Sequence, residues 1–407
     1  MSASKNHLLK LVEDKSQFAS LPRRTIGELW EENQRAMHAL HYVAGYHGSF
    51  RPELVSHCLQ RYSDKGAVVF DPFCGRGTTA LEANLSGRIA YSSDLNPVAV
   101  LMTSAKTLPV GLDEVVLRLN EVDFNRPVDL TDYQNALFPF YHPDTYRELV
   151  NLRQLLRKKR DRVNQFISLL ALSRLHGHTA AYFSTYSAPQ RALSPERQHI
   201  LNLQRREQPP YRAVAPRLIR RAAEALQDGF GQGFFELASK NTVRVADARR
   251  TEWLAADSVD MIVSGLPLPD GFSYHESQWL EYWFADVSAA NDEPLCVSDL
   301  ALWRDFVSDS LRGMLRTLKP GAYAALSVGE LQTEKQLIFL EDVLGEEAQR
   351  IEAAGKRFRV EEVLIHQQRV SERASRSTQS GSKGVVSNNN RILVLKAVSK
   401  SLRPRVR

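Results

Sequence analysis

The sequence predicts an α/β protein with a mostly parallel sheet, helices on both of its faces, an antiparallel hairpin at its end and a helical insertion. Three observations support this fold class. Short β-branched runs alternate with helical patterns, and two strand-like runs near the C-terminus flank a stretch rich in Ser, Gly and Asn. Almost 150 residues separate the second strand from the third, far more than a crossover helix needs.

The parallel strands are predicted from five short runs that each end near a polar residue or glycine. We expect ligand-binding residues at these ends, because ligands of such sheets bind beyond the carboxyl ends of the strands. The runs are GAVVFDP (66–72), RIAYSSD (88–94), VRVADA (243–248), DMIVSG (260–265) and YAALSVG (323–329).

The closing hairpin is predicted from FRVEEVLIHQQRV and RILVLKAV, which lie on either side of a loop from Ser371 to Asn390. We expect four parts along the chain. Residues 1–133 would hold an N-terminal segment and the first half of the sheet domain, and 134–240 a basic, mostly helical insertion. Residues 241–398 would complete the sheet, and 399–407 would form a basic tail.

Composition narrows the class of protein further. Of the 407 residues, 43% are hydrophobic and 25% are charged, which excludes collagen-like, coiled-coil and wholly disordered chains. No apolar run reaches the ~18 residues of a membrane span, and the first residues lack a long apolar stretch, so we expect a cytoplasmic protein that contacts no membrane. The three cysteines, Cys58, Cys74 and Cys296, form no CxxC pair and predict neither a disulfide framework nor a thiolate zinc site.

The positive charge is concentrated in the insertion. From Tyr141 to Phe230 there are sixteen Lys and Arg residues against seven Asp and Glu, a net charge of +9, whereas the whole chain carries +6. Such a segment either neutralises phosphates of a nucleic acid or forms solvated helix faces. The candidate phosphate-binding residues are Arg157, Lys158, Lys159, Arg160, Arg205 and Arg206.

A tight glycine loop follows the first strand. The run Asp71 to Thr79, DPFCGRGTT, leads directly into the helical ALEANLSG, and its two glycines allow backbone N–H groups to approach a ligand closely. Thr79 and Glu82 have the spacing of a capping box. The loop lacks the lysine of a phosphate-binding loop and the full GxGxxG of a dinucleotide site.

Two further acids end the next strands. Asp94 in SSDLNP lies twenty-three residues after Asp71, at the place where an acid accepts hydrogen bonds from ribose hydroxyls. Asp247 ends the third strand in VADAR. A glycine loop followed by spaced acids predicts a nucleoside-bearing ligand.

The loop DPFCGRGTT resembles the S-adenosylmethionine loop DPFCGSGTT of the amino-group DNA methyltransferases, which methylate N6 of adenine or N4 of cytosine; Arg76 replaces a serine. The segments YHGSFRPELVSHCLQRYS (46–63), SSDLNPVAV, LKPGAYAALSVGE (318–330) and NNNRILVL (388–395) also resemble family motifs. The resemblance implies a Rossmann-like methyltransferase sheet, S-adenosylmethionine as the cofactor and double-stranded DNA as the partner. By the resemblance, Asp94 would hold the ribose and Asp247 the adenine. The complete set of cofactor-binding residues it implies is Asp71, Pro72, Phe73, Cys74, Gly75, Gly77, Thr78, Asp94, Asn96 and Asp247.

The catalytic tetrapeptide of the family is altered. An exocyclic amine becomes nucleophilic only when acceptors hold its hydrogens, and the family uses Asp, Asn or Ser followed by Pro-Pro and an aromatic ring that stacks on a flipped base. A gapless alignment places Ser264, Gly265, Leu266, Pro267 and Leu268 at this motif. We therefore expect slow or absent turnover, and we expect the triple change Gly265→Ser, Leu266→Pro and Leu268→Tyr to raise it. A shifted active site would instead use Ser264, Asp270 or Phe272.

Three functions remain open. The first is a DNA amino-methyltransferase, and the second is a catalytically impaired subunit that binds cofactor and DNA beside a nuclease or a second methyltransferase. The third is an RNA methyltransferase, since the fold serves both nucleic acids. No cysteine follows a proline, so C5 methylation is not predicted, and His176 and His178 lack acids at metal spacing, so no metal is predicted.

Overall fold

The computed structural model describes residues 22–30, 37–159, 161–184, 192–287, 299–332, 337–367 and 389–400. Some of the predicted features lie outside these residues. They are Arg160, Cys296, residues 371–388 of the predicted loop and residues 401–407 of the basic tail.

The described strands fall into one large sheet and a small hairpin. Their bounds are β1 Arg23–Gly27, β2 Val68–Asp71, β3 Ile89–Asp94, β4 Thr242–Val245, β5 Val259–Gly265, β6 Leu318–Val328, β7 Glu330–Gln332, β8 Leu337–Phe339, β9 Glu352–Ala353, β10 Lys356–Gln367 and β11 Asn389–Ser399.

The large sheet has the order β1-β10-β11-β6-β5-β2-β3-β4, with β9 paired to β10. Strands β4, β3, β2, β5 and β6 run parallel, whereas β11 is antiparallel to both of its neighbours. The predicted fold class, a mostly parallel sheet with an antiparallel C-terminal hairpin, is therefore confirmed. The chain leaves β2 towards β3 and β4 and later returns to β5 on the other side, so the topological switch point lies between β2 and β5.

Thirteen α-helices are described. They are α1 Pro52–Tyr62, α2 Thr78–Leu85, α3 Pro97–Thr107, α4 Leu112–Asn120, α5 Pro143–Lys158, α6 Arg162–Leu172, α7 Pro195–Arg205, α8 Val214–Leu226, α9 Phe234–Ala238, α10 Tyr274–Ser277, α11 Trp279–Ala285, α12 Leu300–Thr317 and α13 Leu340–Arg350. A 3-10 helix at Ala39–Tyr42 and a π-helix at Tyr133–Leu137 complete the described helices.

Strand β11 shows why a continuous apolar run predicts a central strand. Its residues Ile392, Leu393, Val394 and Leu395 are all fully buried. Ile392 and Val394 pack in one core, and Leu393 and Leu395 pack in another on the opposite face, as alternation of side chains along a strand requires.

Strand β1 was not predicted. It pairs in parallel with β10, and its sequence RRTIG lacks an apolar alternation. Ile26 in this strand is 57% exposed. Such an edge strand is held mainly by backbone hydrogen bonds, so its side chains provide little pattern for a prediction.

The helices between β3 and β4 share a core with the rest of the chain. Buried side chains of α5, α6 and α8 pack in one cluster with Leu40, Met102 of α3 and Leu280 of α11. The predicted boundaries at residues 134 and 240 remain predictions. None of the described helices is both long and apolar enough to cross a membrane.

Candidate active site at the carboxyl ends of the strands

The glycine loop adopts a backbone that only glycine adopts readily. Gly75 has φ 47° and Gly77 has φ 79°, both in the left-handed region. A Cβ on Gly77 would lie 2.9 Å from Cα of Thr103, and one on Gly75 would lie 3.1 Å from the Tyr46 ring. Both glycines are therefore required by conformation and by space.

The predicted capping box at Thr79 and Glu82 is wrong. Helix α2 begins at Thr78 with Gly77 as its N-cap, so Thr79 is inside the helix. The Thr79 hydroxyl donates to the Val263 carbonyl at 3.1 Å, and the Glu82 carboxylate lies 3.1 Å from Nε2 of His41. These contacts join α2 to β5 and to the 3-10 helix.

Asp71 links the ends of β2 and β5. The Ser264 hydroxyl donates to Oδ1 of Asp71 at 2.6 Å, and the Phe73 amide donates to the same oxygen at 3.2 Å. Burial raises the pKa of Asp71 from 3.8 to about 7. In the described part of the chain its Oδ2 atom has no hydrogen-bond partner. The two strand ends are thereby held together at the switch point.

Asp94 holds the glycine loop against β3. Its Oδ2 atom accepts from the Gly75 amide at 2.9 Å, and its Oδ1 atom accepts from the Asn96 amide at 2.9 Å. The Asn96 side chain caps α3 by accepting from the Val98 amide at 2.9 Å, and it donates to Oε1 of Gln278 at 3.2 Å. Asn96 thus already has a structural role in starting α3.

A first cavity lies between the glycine loop and the loop that follows β5. It brings together two predicted sets that are almost 200 residues apart in the chain. Predicted residues that line it are Phe73, Cys74, Gly75, Thr78, Asp94, Gly265, Leu266, Pro267 and Leu268. The predicted residues Asp71, Pro72, Gly77, Asn96, Asp247 and Ser264 do not form part of its lining.

Asp270 and Phe272, which the sequence offers as alternative active-site residues, also line the first cavity, and so do Arg76 and Tyr274, which were not predicted as binding residues. Tyr274 stacks on Tyr46 with 5.2 Å between ring centroids. The acid and aromatic content of the run from Asp270 to Tyr274 is visible in the sequence, but its position over the glycine loop depends on how the chain turns after β5.

The residues of the first cavity fit S-adenosylmethionine in their chemistry. The buried Asp94 carboxylate, three glycines and the aromatic rings of Tyr46 and Phe73 surround it, which suits ribose hydroxyls, a close-lying methionine group and a purine. The enclosed space measures about 70 Å³, less than the roughly 300 Å³ of small-molecule pockets. Side chains above the loop, among them Tyr46, must therefore shift for the ligand to enter.

Asp247 lies away from this cavity. Its carboxylate accepts from Nε of Arg249 at 2.9 Å and from Nη2 at 2.6 Å. Its proposed contact with the adenine remains a prediction, and it would compete with this ion pair.

The altered tetrapeptide is packed in a way that excludes a larger residue at its first position. A Cβ on Gly265 would lie 2.7 Å from Cδ1 of Phe50. The Leu266 amide donates to the Ser327 carbonyl at 3.1 Å, a bond that proline would not make. The Pro267 carbonyl accepts from Nε1 of Trp303 at 2.8 Å. Gly265→Ser therefore requires the Phe50 ring to shift, and Leu266→Pro loses a backbone hydrogen bond.

Asp270 provides an acid close to this loop. Its carboxylate lies 3.1 Å from Nε2 of His47, and the His47 ring stacks on Phe272 with 3.6 Å between centroids. The Asp270 side chain is 38% exposed. An acceptor, a histidine and an aromatic ring thus lie together on the cavity wall.

The predicted phosphate-binding residues lie at the C-terminal ends of two helices. Arg157 in the last turn of α5 pairs with Asp286 at 2.5 Å, and Lys159 lies 3.4 Å from Asp161. Arg205 and Arg206 end α7, and Arg206 has φ 56° as the C-cap. Cations at helix C-termini also stabilise the helix dipole, so these positions have a structural role as well.

The buried Cys74 accepts a hydrogen bond from the Thr103 hydroxyl at 3.3 Å, as a packing residue of the loop. Across the described ranges, no group of three or more His, Cys, Asp or Glu side chains is arranged to hold a metal ion.

A doubly wound sheet with a glycine loop after its first strand and an acid after its second is typical of proteins that bind a nucleoside-bearing ligand. Residues 4–104 match the N6/N4-type DNA methylase family. This matched segment contains the glycine loop and Asp94, and the match supports S-adenosylmethionine as the cofactor.

Curated relatives resemble this chain over short stretches of sequence. The chain is 33% identical over 79 residues to the type II methyltransferase M.MjaII of Methanocaldococcus jannaschii, which covers 19% of this chain and 15% of the relative. It is 24% identical over 121 residues to the type II methyltransferase M.MvaI of Kocuria varians, covering 29% and 24%. The chain therefore spans a quarter or less of the length of these relatives.

Solved structures show only a distant likeness. TrmN from Thermus thermophilus matches with a TM-score of 0.33 and 14% identity, covering 86% of this chain and 50% of that one. The rRNA methyltransferase aviRa from Streptomyces viridochromogenes matches with a TM-score of 0.33 and 12% identity, covering 90% and 94%. Similarity at this level says nothing about the substrate of this chain.

Proposed function

We propose that this chain is an S-adenosylmethionine-dependent DNA methyltransferase that acts slowly on an exocyclic amino group of adenine or cytosine. The observation that carries the proposal is the first cavity, which lies at the switch point and joins the glycine loop and Asp94 to residues 265–268. A methyl donor held by the loop and an amine placed at the tetrapeptide would meet there.

Transfer to an amine requires acceptors for its hydrogens. S-adenosylmethionine supplies an electrophilic methyl group when bound, and the protein must position and polarise the amine. Gly265 has no side-chain acceptor, and the Pro267 carbonyl is already bonded to Trp303. Asp270 lies in the same loop and lines the first cavity, where its carboxylate offers acceptor oxygens. We therefore assign the acceptor role to Asp270.

An aromatic ring must also stack on the flipped base. Leu268 occupies the family position of that ring and packs near Gly329, where an added Cβ would lie 3.3 Å from Cδ2 of Leu268. Phe272 and Tyr274 line the same cavity and present rings within the loop. Because Phe272 and Tyr274 replace the family's aromatic residue from positions further along the loop, we expect methyl transfer to be slow.

DNA is the proposed substrate because the matched family is described as DNA methylases, and the curated relatives are named type II methyltransferases. The basic insertion would grip its phosphates. An RNA substrate is the weaker candidate, since no residue pattern of this chain favours it over DNA.

One observation favours a second candidate, a subunit that binds cofactor and DNA without transferring a methyl group. The Phe50 ring fills the space above Gly265, where the catalytic side chain would stand. In that case a motif-intact methyltransferase or a nuclease would act beside it, and a gene for such a protein would lie nearby in the genome.

Two measurements separate these candidates. Calorimetry with S-adenosylmethionine tests the cofactor site, and transfer of tritiated methyl to unmethylated genomic DNA tests the reaction. Cofactor binding with slow transfer supports the enzyme, whereas binding without any transfer supports the subunit. Absence of cofactor binding would contradict both, and transfer to RNA alone would replace DNA as the substrate.

A further inference from the structure

A second cavity adjoins the first and is built largely by residues that the proposed methyl transfer does not use. It measures about 440 Å³, within the roughly 300–1,000 Å³ of small-molecule sites. Its wall combines the segment 44–49, the end of α6 with the stretch that follows it, and helices α10 and α11. His176 and His178, which form no metal site among the described residues, lie in this wall.

A pair of stacked rings divides the two cavities. His47 and Phe272 line both of them, and their rings stack 3.6 Å apart at an interplanar angle of 15°. The second cavity is therefore distinct from the tetrapeptide, yet it shares a flat aromatic wall with the first cavity. The stacked rings of His47 and Phe272 favour a ligand with a planar ring, which can stack on them.

Glu281 is the central polar group of the second cavity. It lies in the first turn of α11 and lines the cavity, and burial raises its pKa from 4.5 to about 7. No side chain in the described ranges donates a hydrogen bond to its carboxyl group. Glu281 is partly buried at the cavity wall, and a carboxyl group in that position can accept hydrogen bonds from a ligand.

The neighbouring polar groups are held in place by the protein. Oε1 of Gln278 accepts from Asn96 at 3.2 Å, and Nδ1 of His176 lies 2.9 Å from the Ser184 hydroxyl. The guanidinium of Arg174 lies 5.1 Å from the Tyr182 ring centroid. Such anchoring lowers the entropy cost of binding, as is typical of a formed site.

We propose that the second cavity binds a nucleobase, whose exocyclic amino group donates to the Glu281 carboxyl group and whose ring faces His47 and Phe272. The class of ligand rests on the proposed function, because a protein that acts on DNA encounters nucleobases as its substrate class. The base in the second cavity is separate from the target base, whose amine the proposed function places at Asp270 in the first cavity. The second cavity, at about 440 Å³, is also larger than the first, at about 70 Å³. The base would arrive either within DNA or as a free nucleoside.

Calorimetry with two nucleosides tests this assignment. Adenosine carries the amino group, and purine riboside lacks it. Both are titrated in the presence of saturating S-adenosylmethionine, so that the cofactor site is filled. We expect adenosine to bind the parent protein about ten- to hundredfold more tightly than purine riboside, and we expect Glu281→Leu to abolish this preference.

Glu276→Leu is the matched control, because Glu276 is an exposed acid on α10 that does not line the second cavity. It should keep the preference for adenosine. If Glu281→Leu fails to fold, Glu281→Gln provides the second variant. It retains an acceptor oxygen, so it should keep the preference for adenosine, with a smaller loss of affinity than Glu281→Leu.

Competition with unmethylated DNA fragments shows whether the bound base comes from DNA or from a free nucleoside. Displacement of adenosine assigns the site to DNA bases, and DNA binding without displacement assigns it to free nucleosides.

Equal affinity for the two nucleosides, no binding of either, or a preference unchanged in a folded Glu281→Leu protein would overturn the assignment. Failure of the proposed function looks different. In that case methyl transfer to DNA is absent while adenosine still binds in a Glu281-dependent manner.

Discussion

The Phe50 ring stands where a side chain on Gly265 would have to be, with Cδ1 only 2.7 Å from the position of a Cβ. Phe50 precedes α1, and Gly265 ends β5, so the contact joins segments more than 200 residues apart. A side chain at position 265, which is the predicted first catalytic position, would therefore compete with the Phe50 ring for the same space.

The first prediction concerns this coupling. Gly265→Ser alone should destabilise the protein by about 1–3 kcal/mol, because overpacking forces neighbouring atoms apart. In a Phe50→Ala background the same substitution should cost much less. Urea unfolding of the two single variants and the double variant measures the interaction. Strictly additive changes would show that the ring moves aside without cost.

The second prediction concerns the cofactor. Asp94→Ala should weaken S-adenosylmethionine binding by roughly ten- to hundredfold, because it removes a charged acceptor for ribose hydroxyls and also frees the Gly75 amide. Asp113→Ala, at an exposed acid in α4, is the control and should leave the affinity unchanged. Calorimetry measures the affinity of each protein for S-adenosylmethionine. Equal affinities for the parent and Asp94→Ala would exclude Asp94 from the cofactor site.

The third prediction concerns the acceptor of the amine. Asp270→Asn should lower methyl transfer by about a hundred- to thousandfold, as loss of one preorganised group at a reacting centre typically does. Cofactor affinity should stay within about twofold of the parent. Glu276→Gln, a neighbouring exposed acid, should leave transfer intact. Transfer by Asp270→Asn at the parental rate would assign the acceptor to another group.

The fourth prediction concerns pH and the buried pair of His41 and Glu82. Burial lowers the pKa of His41 from 6.5 to about 4. Between pH 4 and pH 6.5, His41 binds a proton in the unfolded chain but not in the folded protein. The contribution of His41 to the free energy of unfolding is therefore complete above pH 6.5 and is lost as the pH falls towards 4.

We therefore expect the stability of the parent relative to His41→Gln to rise by about 2 kcal/mol between pH 5 and pH 7.5. Asp71, whose pKa is raised to about 7, contributes in the opposite direction, but it is present in both proteins and cancels in the comparison. Urea unfolding at several pH values measures the difference. A constant difference would mean that His41 titrates normally in the folded protein.

The fifth prediction concerns DNA binding by the insertion. Replacing Lys158 and Lys159 by Gln should flatten the log-log dependence of DNA affinity on salt by about 0.9 for each phosphate that the double variant no longer neutralises. Lys240→Gln is the control, because Lys240 pairs with Glu236 at 2.9 Å in a short stretch before β4. Identical salt slopes in the parent and the double variant would show that the end of α5 is a solvated helix face that does not contact DNA phosphates.

Local patterns in the sequence were enough to predict the five parallel strands, the C-terminal hairpin, the glycine loop and the acid after the second strand. β-branched runs that end in polar residues predict strand ends, and glycines in DPFCGRGTT predict a backbone that other residues would strain. The structure confirms the parallel strands and the C-terminal hairpin, since these depend on alternation and apolar content within a few residues. The edge strand β1 escaped prediction because its side chains carry no such pattern.

Contacts between distant segments decided the rest. The predicted capping box is wrong because the Thr79 hydroxyl donates to the Val263 carbonyl of β5. The sequence around Thr79 does not reveal this contact, because Val263 is distant along the chain. The placement of Phe50 over Gly265 and of Glu281 in the second cavity depends on how α1 and α11 pack around the strand ends. Side-chain packing and burial act through space, whereas sequence patterns report only what neighbours along the chain require.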